Sequence, residues 1–201
     1  MPIDSLLALI GILVVSAWTP GPNNAMLSAS GASFGFRATL PHMAGVALGF
    51  PLLLFASAMG LGQVVQQVDL LREAMRWLGV ALLLWVAFKI ATAPLPSRDA
   101  ATASGRKPFT FLQAAAFQWV NPKAWAMGLG ITAQFVDGRA PLQTGLICAG
   151  VAALVGVTSA SGWAGLGVVM MRWLRSEARF RAFSLIMAAI LVLGVAALIF
   201  G

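Results

Sequence analysis

Apolar residues run in six long stretches along the chain, each bounded by charged or turn-forming residues: 5–30, 40–62, 70–92, 109–135, 142–171 and 182–200. Each comes close to or exceeds the about 20 residues that a helix needs to cross a hydrocarbon core roughly 30 Å thick. The pattern predicts an all-α integral membrane protein of six transmembrane helices. Between the third and fourth stretches the chain turns polar and rich in Pro, Ala and Ser, which reads as a loop over about 94–108. That loop divides a single transmembrane domain, 1–201, into two three-span halves, about 1–93 and 109–201. The first stretch resembles a signal peptide only superficially. Its start, Met1-Pro2-Ile3-Asp4, carries no basic region, and the run stays apolar past any cleavage site, so it is expected to remain in the mature protein.

Composition agrees with the pattern. Of 201 residues 60% are hydrophobic and 9% charged, with a mean hydropathy of +0.89. A soluble globule needs more charge to cover its surface, and a disordered chain has far less apolar content. The net charge of +7 raises the question of nucleic acid, but its distribution points to membrane topology and anionic lipid headgroups instead. The breaks after spans one, three and five hold Arg37, then Lys89, Arg98, Arg106 and Lys107, then Arg172, Arg175, Arg179 and Arg181. The opposite side holds only Arg72, Arg76 and Arg139, offset by Asp69, Glu73 and Asp137. By the positive-inside rule both termini lie on the outer face of the membrane, and the 94–108 loop is cytoplasmic. Cys148, the sole cysteine, lies in an apolar run and reads as a packed thiol.

One basic residue does not fit a topology role. Lys123 stands inside the fourth apolar stretch, where a charge near midplane costs at least about 2.5 kcal/mol and marks a functional site by default. The alternative is a span that starts later, leaving Lys123 near an interface. Helix-breaking residues lie beside it and in the matching place of the first half. Thr19-Pro20-Gly21-Pro22-Asn23-Asn24 interrupts span one, and Asn121-Pro122 interrupts span four, an N-capping Asn before a proline suited to the first helical position. Pro22 and Pro122, Pro41 and Pro141, and Gly45 and Gly145 are each offset by 100 residues. Halves with an odd number of spans must be inverted relative to each other, and paired broken helices in inverted repeats point to a midplane substrate site in a secondary transporter. Half-helices starting at Pro22 and Pro122 would offer free amide groups to a carboxylate, reinforced by Lys123. Carbonyls freed near 15–18, with the side chains of Thr19, Asn23, Asn24, Gln118 and Asn121, would take an ammonium or hydroxyl group. A small zwitterion suits such a site.

At these residues the chain resembles the LysE/RhtB family of bacterial amino-acid exporters. The likeness rests on Thr19-Pro20-Gly21-Pro22-Asn23-Asn24, Gly35-Phe36-Arg37 followed by Gly45 and Gly49, Trp77-Leu78-Gly79 through Trp85 to Ile90, and Asn121-Pro122-Lys123 with Gln134-Phe135. It covers most of residues 5–136, while the last two spans match in hydropathy alone. It implies a six-helix inner-membrane exporter of amino acids or their derivatives, driven by the proton gradient. The Pro-Gly-Pro-Asn-Asn and Lys-Ile-Ala-Thr-Ala-Pro stretches look most like the cysteine and O-acetylserine branch; a threonine or homoserine type of substrate is the other neutral class considered. The partners expected are a small amino acid, a proton and membrane lipids, with no nucleic acid and no cofactor, and homo-oligomerisation is left open.

Proton coupling calls for a group that can titrate along the pathway. Asp4, Asp69, Glu73, Asp99, Asp137 and Glu177 all fall at span ends or in loops, whereas a proton-coupled carrier usually has a titratable group on its pathway. His42, the sole histidine, is one candidate; a histidine hydrogen-bonded to headgroups at the start of span two is the plainer reading, and the substrate's amino group is another proton carrier. Trp77, Trp163 and Trp173 fit interfacial anchoring, and Trp18, Trp119 and Trp125, beside the breaks, are candidates to wall a cavity. Gly156, Gly162, Gly165 and Gly167 suggest close helix packing. No cluster with metal or nucleophile spacing lies in the spans, so an enzyme is not expected; a non-transporting membrane subunit or channel is the alternative to an exporter.

Overall fold

A computed structural model describes residues 1–93, 107–173 and 176–200, and every regular element in them is helical. The order is α1 (Ile3–Trp18), α2 (Pro22–Phe34), α3 (Phe36–Ala56), a π-helical turn (Ser57–Leu61), α4 (Gly62–Gln67), α5 (Asp69–Ala91), α6 (Phe111–Phe117), a 3-10 turn (Gln118–Val120), α7 (Pro122–Phe135), α8 (Pro141–Trp173) and α9 (Glu177–Phe200). Most of the predicted loop, with Arg98, Asp99 and Arg106, lies outside the described residues, as does Arg175.

Four helical stretches are long and apolar enough to cross a membrane: Phe36–Gln67, Asp69–Ala91, Pro141–Met171 and Glu177–Ala196. The pair α1 and α2, bent by 55° at the first break, makes a fifth if it forms one span. The expected fourth span, 109–135, differs. The chain turns at Gln118–Val120 and Asn121, leaving helices of 7 and 14 residues, each too short to cross alone. The apolar length is present in the sequence, but the break ends its regular hydrogen bonding, so four of the six expected spans meet a length criterion among the described residues, or five with the bent pair taken as one.

Gly35 alone joins α2 to α3. Its φ of 82° is left-handed backbone that glycine adopts without steric cost, so one helix gives way to the next within one residue. The 33-residue α8 is the longest helix and packs chiefly along α3 and α2, then α1, while α9 packs on α5. Small residues make these contacts close. A Cβ on Gly31 would strike the backbone of Ala164, and one on Gly167 would strike the backbone of Ser28, so α2 and α8 touch main chain to main chain. Gly156 lies against Ala47 of α3, and Gly162 against the Trp18 ring. Gly165, also expected at a packing face, has nothing within 4 Å of an added Cβ.

Of four apolar clusters among the described residues, the two largest hold most of the helices together. Met26, Leu83, Phe117 and Leu191 form one, and Leu9, Leu13, Leu54 and Cys148 another, the thiol packed as a small apolar group. Large apolar side chains also face outward: Leu112 is 74% exposed and Leu154 73%, as on a surface solvated by lipid. Trp77 and Trp173 are exposed, as interfacial anchors require. Trp163 is not: its indole nitrogen is buried without a partner.

The glycine contacts yield a stability prediction. Gly31→Val and Gly167→Val should each lower stability by about 1–3 kcal/mol through overpacking, whereas Gly165→Ala should leave it within about 0.5 kcal/mol. Thermal unfolding of the purified protein in detergent checks all three.

Candidate functional site

The first break begins where α1 runs out of donors. Thr19 closes the helix by sending both its amide (3.0 Å) and its hydroxyl (2.6 Å) to the Val15 carbonyl. Three residues later Pro22 starts α2 with no side-chain cap on Gly21. The carbonyls of Ala17 and Thr19, left without helical partners where α1 ends, are taken by side chains instead. Asn24 Nδ2 donates to both, at 2.8 Å each, and Ser159 Oγ of α8 donates to Ala17 O at 2.7 Å. A backbone oxygen in apolar surroundings without such donors would cost about 1–3 kcal/mol.

At the second break Asn121 acts as the N-cap that its place before Pro122 predicts, accepting the Lys123 amide on its side chain at 3.1 Å. The Lys123 side chain then crosses to the first break, where Nζ donates to Thr19 O at 2.8 Å. Gly21 makes that path available. Its φ of −178° suits any residue, but an added Cβ would meet Lys123 Cδ at 3.0 Å and Nζ at 3.2 Å. A second link runs beside it: Asn23 and Gln118 exchange amide hydrogen bonds of 2.8 and 3.2 Å, and Gln118 is anchored on Ala114 O at 2.9 Å. The two breaks, about 100 residues apart in the chain, form one assembly.

This assembly borders a cavity of about 70 Å³, room for a few waters. Gly21, Asn23, Asn24, Gln118, Asn121 and Lys123 line it. Of the other expected site residues, Thr19 takes part through its carbonyl, and Pro20, Pro22 and Pro122 shape the breaks without lining the space. Two expectations change. The freed carbonyls of the first break are not bare, because Asn24, Ser159 and Lys123 already occupy them. The α7 N-terminus is partly closed by Asn121, so α2 offers the more open amide end.

No tryptophan lines the cavity. Trp18 lies on Gly162, and Trp125 donates to Trp119 O at 2.8 Å with the two rings in a T-shaped, edge-to-face arrangement. Ser16 and Ser159 line the cavity without having been singled out; the short polar run Thr158-Ser159-Ala160-Ser161 inside an apolar span was the available signal. His42 lies apart from this cavity and is fully buried in α3, which overturns a headgroup-facing position. Its Nδ1 is 3.0 Å from Ser30 Oγ, its ring 5.3 Å from that of Phe109, and its Nε2 is buried without a partner.

The model of the family described as LysE type translocator matches residues 14–200. The chain belongs to the LysE family. This LysE chain is 31% identical over 183 residues to the cysteine/O-acetylserine efflux protein of Escherichia coli K12, covering 89% of each chain. It is 30% identical over 181 residues to the protein of the same description from Salmonella typhimurium LT2, again covering 89% of each. No solved structure matches. The relatives are efflux proteins rather than enzymes, and both family and relatives support an amino-acid exporter.

Asn24 offers a direct check on how the first break is held. Asn24→Leu leaves two carbonyls short of a donor and should destabilise the protein by about 1–3 kcal/mol; an unchanged melting temperature in detergent would show that those carbonyls have other donors.

Proposed function

We propose that this protein is a secondary exporter of cysteine, O-acetylserine or a similarly small neutral amino acid, working by alternating access between inverted halves. The observation that carries the reading is the Lys123 ammonium seated on Thr19 O, beside a cavity that both helix breaks border. An ammonium on a carbonyl is the contact a zwitterion can replace. The substrate carboxylate draws Lys123 away, and Thr19 O is freed for the substrate ammonium, so each charge that leaves water finds a partner. The open amide end of α2 adds a second place for the carboxylate. Asn23, Asn24, Gln118 and Asn121 supply neutral hydrogen bonds for a hydroxyl, thiol or acetyl group on the side chain. The walls of a cavity this small must part to admit an amino acid.

Orientation follows the charge bias, with both termini on the periplasmic side of the inner membrane. For coupling, His42 is the residue we assign, since its buried Nε2 has no partner and its Nδ1 is tied to α2 through Ser30. A channel or a non-transporting subunit accounts less well for a lysine placed across two matched breaks.

Lys123→Gln removes the charge while keeping hydrogen-bonding capacity, and should lower O-acetylserine transport into proteoliposomes by about 30-fold or more. Transport at the wild-type rate, with normal protein in the membrane, would remove Lys123 from the site. For His42→Asn, transport driven by an imposed pH gradient should be lost while exchange of labelled for unlabelled substrate continues, because exchange needs no net proton movement. Loss of both would mark His42 as structural.

A further inference from the structure

One wall of the cavity beside the two breaks is continuous with an apolar layer. Leu13, Met127 and Val155 line the cavity and pack into the cluster that goes on through Leu54, Ile131, Phe135 and Cys148. Phe135 ends α7, which starts at the second break, and Cys148 lies two turns into α8. The layer therefore stands between the breaks and the 136–140 connection, the outer side by the charge bias. A solute released outward has to cross it.

Two hydroxyls beside this layer depart from the habit of the rest of the chain. Thr19, Thr39, Thr92 and Thr144 each donate to the carbonyl four residues back. Ser57 Oγ and Thr132 Oγ1 are buried and have no hydrogen-bond partner among the described residues, and Ser57 as a whole is 3% exposed. Burying a hydroxyl unpaired is unfavourable, so each calls for a reason. The two lie at one level of one helix interface. Along α3, Gly49 meets Gln118, and a Cβ added to Gly128 of α7 would come to 2.9 Å from Leu53 Cδ2 and 3.7 Å from Ser57 Oγ, so both chains advance in the same direction. Ser57 is one turn beyond Leu53, and Thr132 one turn beyond Gly128 on the same face. The helix also changes form here. The turn Ser57–Leu61 is π-helical and holds Gly60 at a φ of 103°, where an added Cβ would meet nothing within 4 Å, so this glycine serves the bend rather than packing. Hinges are built from such residues at the ends of elements.

We propose that the exported amino acid leaves the two breaks outward between α3 and α7, with the hydroxyls of Ser57 and Thr132 as its hydrogen-bonding station beside the apolar layer and the turn at Gly60 as the hinge that lets the layer part. Each hydroxyl can donate to a carboxylate or accept from an ammonium, so the pair takes either end of a zwitterion. This inference rests on the exporter reading and the orientation given above.

Cys148 is the sole cysteine and is fully buried in the layer, so the wild-type protein carries its own reporter. A membrane-impermeant methanethiosulfonate reagent added to right-side-out vesicles should modify it about fivefold or more faster when the vesicles are loaded with O-acetylserine, read by mass on the purified protein. Equally slow modification in vesicles that export O-acetylserine would overturn the route and leave the exporter reading intact, as would substrate-dependent modification confined to inside-out vesicles. Ser57→Ala and Thr132→Val should each lower the Vmax of O-acetylserine uptake into inside-out vesicles, which reports export, by about fivefold, as loss of one hydrogen bond in the limiting step requires. Their melting temperatures in detergent should be unchanged or raised, because neither hydroxyl has a partner to lose among the described residues, and Thr132→Ser should keep the wild-type rate. Wild-type Vmax in both Ser57→Ala and Thr132→Val would overturn the station, and a lowered melting temperature together with a lowered Vmax would mark the hydroxyls as structural and overturn it too. Failure of the wild-type protein to transport O-acetylserine, cysteine, threonine or homoserine would overturn the exporter reading, and the exit route with it.

Discussion

A backbone carbonyl that has lost its helical donor has no water to turn to in the interior of a membrane protein, and the whole site follows from how this chain meets that constraint. Where α1 ends, ahead of the Pro20-Gly21-Pro22 break, the oxygens of Ala17 and Thr19 are left without helical donors. The donors that reach them come from three places: Asn24 just beyond the break, Ser159 on α8, and Lys123 from the other half of the chain. The break is therefore held from outside as much as from within. That is how an unwound segment persists amid helices, and why α8 and α7 must pack where they do.

The two breaks are also mechanically joined. The Asn23 and Gln118 amides bond to each other, and Lys123 spans to Thr19, so the first break cannot open while the second stays fixed unless both links yield. Each link is a hydrogen bond of modest net worth, about 1 kcal/mol for the neutral pair and more for the charged one. A small polar ligand offers the same kinds of groups in exchange. Main-chain contact between α2 and α8 at Gly31 and Gly167 works in the opposite sense, since packing so close resists small displacements and favours movement of the two helices as one body.

What could be read from the sequence was local. Proline, glycine and a lone lysine within apolar runs are strong signals in themselves, and they located both breaks and most of the cavity's polar lining. What could not be read was pairing at a distance. Nothing in the sequence ties Asn23 to Gln118, Ser159 to Ala17, or Lys123 to a carbonyl 104 residues away, because such partners are set by how helices pack. His42 illustrates the same limit. Its place near the start of an apolar run suggested an exposed site, but α2 and Phe109 cover it. The tryptophans near the breaks were misleading for a related reason: adjacency in sequence to a bend does not say which way a large ring turns.

Helix α8 has one more consequence. At 33 residues it is about 50 Å long, against a hydrocarbon thickness of about 30 Å. It must either lean steeply or stand well clear of the acyl chains at one end. Because α2 and α3 lie against it over much of their length, whatever tilt it adopts is imposed on the helix that carries the first break. The thickness of the surrounding bilayer thus acts as a lever on the geometry of the site, through a helix that supplies a single hydroxyl to that break.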